Sequence, residues 1–175
     1  DARGLGLRSA SQTPDGWLIS AAEYDHLGRM RRSYNPFYGS TPVAALPSGQ
    51  KFTEVTAIDA LGRTTGVTLQ DNTTVSTAFS TAADLPTGFK KTFVSVTDQA
   101  GKKRRQVMDA LGRIVRVDEP DTNSSLGNDL GAVDSPVQAT SYEYDGNDNL
   151  AKVIQSDGTV TQERRFKYDS LSRLI

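Results

Sequence analysis

One pattern recurs along the 175 residues and aligns on an aspartate. Residues 23–30, 57–64, 107–114, 143–150 and 167–174 place an aromatic or apolar residue before Asp, then two variable residues, a Gly or its substitute, and a basic or amide residue. The copies are Tyr24, Asp25, Gly28 and Arg29; Asp59, Gly62 and Arg63 after Ile58; Asp109, Gly112 and Arg113 after Met108; Tyr144 and Asp145 with Asp148 and Asn149; and Tyr168, Asp169, Ser172 and Arg173. A weaker copy carries Asp98, Gly101 and Lys102. Such repetition constrains the fold more than composition does, because one small unit must be built many times.

The unit reads as a hairpin turn. Asp at the first turn position accepts hydrogen bonds from backbone N–H groups two or three residues on, and Gly three residues later takes the left-handed conformation that closes a type I turn with a bulge. Gly28, Gly62 and Gly112 are therefore predicted to have positive φ. Asp148 tolerates that region, and Ser172 does so less well. The Asp-to-Asp spacings are 34, 39, 11, 36 and 24 residues, too uneven for a solenoid of fixed rung length. They suit an antiparallel ribbon in which every second or third turn carries the motif, with Asp71-Asn72, Asp157-Gly158 and Asp15-Gly16 at plain return bends.

Strands are predicted at 17–24, 29–34, 51–58, 63–69, 73–79, 92–97, 102–108, 113–117, 140–144, 150–155 and 159–168, with a truncated one from Arg173. No window of helical length shows a 3.6-residue apolar stripe. The 16 Asp against 5 Glu, 15 Gly, and 34 Ser and Thr are the turn and strand residues such a ribbon needs. Pro- and Gly-bearing stretches at 35–50, 80–91 and 118–139 are too long for hairpin turns and are predicted as surface loops or crossovers, the last the most mobile. The fold class is all-β, an antiparallel β-hairpin repeat ribbon. Because the chain opens at Asp1 without Met, residues 1–175 are read as a fragment of a longer array.

A net charge of -1, from 20 Lys and Arg against 21 Asp and Glu, argues against nucleic acid as the main partner. No apolar run approaches the roughly 20 residues of a membrane-spanning helix. With no cysteine there are no disulfides or thiolate metal sites.

The motif, above all Tyr24-Asp25, Tyr144-Asp145 and Tyr168-Asp169 with the Asp-x-x-Gly-Arg core at Asp59 and Asp109, resembles the tyrosine-aspartate (YD) repeats of Rhs proteins. These also occur in teneurins and in the shell subunits of insecticidal toxin complexes. The resemblance implies a strip of β-hairpins spiralling into a hollow shell or an extended repeat array, secreted or at a cell surface. In bacterial toxins the shell encloses a cargo domain; in teneurins it serves adhesion. It implies as partners the rest of the parent repeat chain or further copies, with an encapsulated toxin domain or surface glycans beyond them. Ile58 and Met108 depart from Tyr, which an apolar plug beside the turn accommodates. No Asp-Pro dipeptide occurs, so the autoproteolytic role of some bacterial members does not carry over.

Each chemical candidate has a plainer explanation. His26, the one histidine, sits at a variable turn position and makes a poor catalytic or metal site alone. The motif acids are accounted for by turn capping. Asp145-Gly146-Asn147-Asp148-Asn149 looks like a calcium loop but lacks the closing Glu. Basic clusters at 29–32, 102–105 and 164–167 suit cross-strand pairing and edge protection better than a polyanion. Trp17, Tyr34, Phe37 and Tyr38 could form a sugar-stacking platform, with packing the stronger alternative. The reading is a non-enzymatic structural segment without metal or cofactor, forming a shell or scaffold; the alternative is an adhesion or carbohydrate-binding module.

Overall fold

The computed structural model describes residues 7–83, 90–120 and 129–175. They form an all-β fold of thirteen strands: β1 Arg8–Thr13, β2 Gly16–Tyr24, β3 Met30–Tyr34, β4 Phe37–Gly39, β5 Phe52–Ile58, β6 Thr64–Thr68, β7 Thr74–Ala83, β8 Lys90–Thr97, β9 Lys103–Met108, β10 Ile114–Glu119, β11 Gln138–Tyr144, β12 Leu150–Ser156 and β13 Thr161–Arg165. The chain divides into two compact units, residues 1–76 and 77–175.

In the first unit, strands are neighbours in the order β1-β2-β3-β5-β6-β7, with β4 paired to β2. In the second, the order β7 to β13 follows the chain. The registered pairs are all antiparallel and, apart from β2/β4 and β3/β5, join consecutive strands, so successive turns lie at alternate ends. In the first unit the Asp25 and Asp59 turns fall at one end and Asp71 at the other. In the second, Asp109, Asp145 and Asp169 share one end, and Asp98 and Asp157 lie at the opposite one. The motif thus marks every second turn, and the weak copy at Asp98 is a return bend.

Little of either unit is buried. Ile19 and Phe37 are buried in the first; Val107, Leu130, Arg105 and Asp118 are buried in the second. Most other strand residues are half-buried, as expected of a sheet with few covering elements.

Two strands escape the sequence reading, β1 and β4, because neither alternates in polarity. β4 falls within the loop predicted at 35–50: Phe37 pairs Ile19 and is buried, which draws this short segment onto β2. The other two loops are shorter than predicted. Ser80–Ala83 and Lys90–Lys91 belong to β7 and β8, while 84–89 lie outside the described residues. Asp118 and Glu119 close β10, and Gln138 and Ala139 open β11, with 121–128 outside the described residues. Asp118 is fully buried, so its end of the predicted mobile stretch is anchored.

Candidate functional site

The motif turns repeat one geometry. At Asp25 the backbone N–H donates to the Arg29 carbonyl at 2.9 Å, and Gly28 N–H donates to the Asp25 carbonyl at 3.0 Å. Asp25 Oδ1 accepts from the N–H groups of Leu27 and Arg29, each at 2.9 Å, while Oδ2 accepts from Arg29 Nε at 2.7 Å. The same set closes at Asp59 with Leu61 and Arg63, at Asp109 with Leu111 and Arg113, and at Asp169 with Leu171 and Arg173. At Asp145, Asn149 Nδ2 replaces the guanidinium at 3.0 Å. At Asp98 the two backbone bonds, from Ala100 and Lys102, are kept.

Acceptance therefore runs from residues two and four positions on, rather than two or three. The motif's basic residue also acts on its own Asp, a role that composition alone does not show. Gly28, Gly62, Gly101 and Gly112 have φ of 82, 81, 76 and 80°, and Asp148 and Ser172 take the same region at 65 and 59°. Asn72 does likewise at 66°, and its turn repeats the backbone pattern with Leu69 in the Asp position.

These bonds stabilise the ionised carboxylates. The Arg29 N–H foremost, with its guanidinium and the Leu27 N–H, holds Asp25 at about 2, below the ordinary 3.8. Asp59 and Asp169 are lowered chiefly by the N–H of Arg63 and Arg173, and Asp145 chiefly by the Asn149 amide. At Asp109 desolvation is the largest single influence and raises the value, but the Arg113 and Leu111 bonds together outweigh it.

Beyond the turn lies a second recurring device. Strand pairing skips one residue six positions after the motif Asp: Arg31, Thr65, Val115 and Ala151 are bulged in the β2/β3, β5/β6, β9/β10 and β11/β12 hairpins. The Asp98 hairpin has no such skip. A bulge adds local twist and removes a residue from the ladder. In the second unit the carbonyl just before it is taken up by the following hairpin: Tyr144 donates its hydroxyl to the Ile114 carbonyl at 2.8 Å, and Tyr168 to the Leu150 carbonyl at 3.1 Å. Arg113 reinforces the first joint, lying 4.8 Å over the Tyr144 ring and donating to Asp148 of the next turn. Tyr at these two positions is a hydrogen-bonding group as well as a plug.

Several of the remaining candidates are paired. Asp145 and Asp148 spend their oxygens on the turn and on Arg113, and among the described residues no three His, Asp or Glu side chains form a metal-binding group. Arg32 bonds Glu54 and Glu23, Arg104 bonds Glu119, and Arg165 bonds Glu163. His26 is exposed at its turn. The aromatic platform does not assemble. Phe37 is buried, and Tyr38 sits one position along β4, on the opposite face. Trp17 pairs Gly39, and Tyr34 packs on Phe52 at 5.4 Å and donates its hydroxyl to Glu23.

Sequence reasoning missed one polar cluster. Asp118, with no exposed surface, accepts from Arg105 Nε at 2.5 Å and from Arg116 Nε at 2.6 Å. Arg105 Nη2 also donates to the Ala132 carbonyl at 3.1 Å, and Arg116 donates to the Val133 carbonyl. In the sequence Arg105 belongs to a basic cluster and Asp118 to the start of a predicted loop, so no local signal joins them. No helix of the described residues is long and apolar enough to cross a membrane. No family model matches the chain, and no curated protein matches it either.

Proposed function

We propose that this chain is a non-enzymatic wall segment of the tyrosine-aspartate repeat type, in which successive hairpins are locked together into a sheet that encloses or displays another domain. The observation that carries this reading is the coupling of three features at fixed offsets from one Asp. The left-handed residue sits at +3 and the bulge at +6, and at Asp109 and Asp145 the carbonyl at +5 meets the next hairpin's Tyr. Each hairpin alone buries too little apolar surface for independent stability, so the repeat is a device for joining neighbours. The acids that a catalytic reading would need are consumed in making turns. Partners on this reading are further repeats of the parent chain or other copies, with a secreted or surface setting resting on the family resemblance.

Electron microscopy of the chain in its encoded polypeptide tests it. A hollow or curved β-wall with density enclosed or carried by it is expected. A set of separate globular modules, or a hydrolytic activity lost on replacing His26, would overturn the proposal.

A further inference from the structure

We propose that the face of β9 and β10 bearing Arg105, Val107, Arg116 and Asp118 is a binding cleft for a short hairpin-forming peptide, filled in this structure by the chain's own segment 129–137. Alternation along β9 and pairing with β10 put these four side chains on one face, and Val107, Arg105 and Asp118 are buried there. The segment over them is tied to the sheet by hydrogen bonds to its main chain. The carbonyls of Gly131, Ala132 and Val133, three in succession, accept from the two guanidiniums. Its one buried side chain among the described residues is Leu130.

The segment's own N–H groups bond inward, Val137 to the Leu130 carbonyl at 3.2 Å, Ser135 to the Ala132 carbonyl at 3.2 Å, and Gly131 to Asp129 Oδ1 at 2.9 Å. It is a small self-contained hairpin whose polar ties to the sheet run through two arginines, both oriented by the single carboxylate of Asp118. Donors fixed before the ligand arrives and aimed at consecutive carbonyls recognise backbone rather than side chains. The burial of Leu130, directly before the three carbonyls, supplies the register. The occupant this selects is a hairpin-forming peptide with an apolar residue directly before the three carbonyls, for which residues 129–137 are the template. The inference does not depend on the wall reading above.

The probe is a fluorescein-labelled peptide of residues 129–137, titrated into the whole chain and into its Leu130→Ala variant, which leaves all four cleft side chains in place. The variant is expected to bind the peptide at least tenfold more tightly than the native chain, because its own segment competes less well. A peptide with its Leu replaced by Ala is expected to lose that binding. Equal binding by variant and native chain, or equal binding of the two peptides, would overturn the proposal. Hydrogen exchange on the native chain gives an independent arm, readable even if the variant does not fold. Amides of 130–137 should exchange through an opening that leaves β9 and β10 protected; exchange of all of them in one step would equally contradict a displaceable occupant.

Discussion

Asp109 and Asp118 lie nine positions apart, one in the turn before β10 and the other within it, and both bind arginine, yet they do opposite work. Asp109 is served by residues two and four positions on, in a turn whose tip, Leu111, stands in solvent. Asp118 is fully buried and served by Arg105 across the strand pair and Arg116 beside it. The first arrangement is local and screened by water, so removing it harms one turn. The second holds Asp118 and Arg105 away from water with Arg116 half-buried beside them, so removing the carboxylate leaves the guanidiniums uncompensated. One residue type thus makes an interchangeable repeat part in one place and a single-use anchor in the other.

The sharpest way to break this contrast is Asp118→Ala. Loss of the shared carboxylate strands two guanidiniums and should destabilise the second unit by about 3–5 kcal/mol, read as a fall in the urea midpoint. Asp109→Ala should cost distinctly less; an equal cost would erase the distinction.

Acid titration tests the local class collectively. Asp25 has its value lowered from 3.8 to about 2, and Asp59, Asp109, Asp145 and Asp169 shift in the same direction. A carboxylate lowered on folding stabilises the fold fully above its unfolded value. That contribution is lost as pH falls through the folded one. Stability should therefore be level above pH about 4 and decline toward about 2. Replacing Asp25 by Asn should flatten part of that decline, and a decline that does not change would refute the assignment.

Tyr144→Phe removes only the hydroxyl that reaches the Ile114 carbonyl. About 1 kcal/mol of stability should be lost, with faster amide exchange at the β10/β11 joint and little change at the β2/β3 hairpin. A uniform change across both units would mean that the hydroxyl does not act as a joint. The smallest effect is a gain. Ser172 holds a left-handed φ of 59° that Gly adopts without strain, so Ser172→Gly should raise stability by roughly 0.5 kcal/mol after the greater freedom of the unfolded chain is offset. A loss would place some other interaction at that hydroxyl.

The same local-versus-distant contrast explains what the sequence revealed. Turn chemistry is written in neighbouring residues, so Asp25, Gly28 and Arg29 announced both the hairpin and its positive φ. Eleven strands followed from the stretches between turns. What involved distant partners stayed hidden. The Tyr144 hydroxyl looked like packing because its acceptor lies thirty residues back in the chain. Asp118 opens the Pro- and Gly-bearing stretch that reads as a loop because it is too long for a hairpin turn, and only the approach of Arg105 makes its burial tolerable. The bulges at +6 were also silent, since Arg31, Thr65, Val115 and Ala151 share no residue type. The aromatic platform failed for a related reason: Phe37 and Tyr38 are adjacent in β4, and adjacency in a strand puts side chains on opposite faces.

The central claim is that a single turn, closed by the same backbone bonds, builds this fold at every motif copy. Through-hydrogen-bond couplings and φ-sensitive couplings measured by NMR at the six turns test it most directly. The account predicts a bond from each motif Asp N–H to the carbonyl four residues on, with positive φ at Gly28, Gly62, Gly101, Gly112, Asp148 and Ser172. Extended geometry at these positions, or bonds confined to the copies that carry Gly, would contradict it.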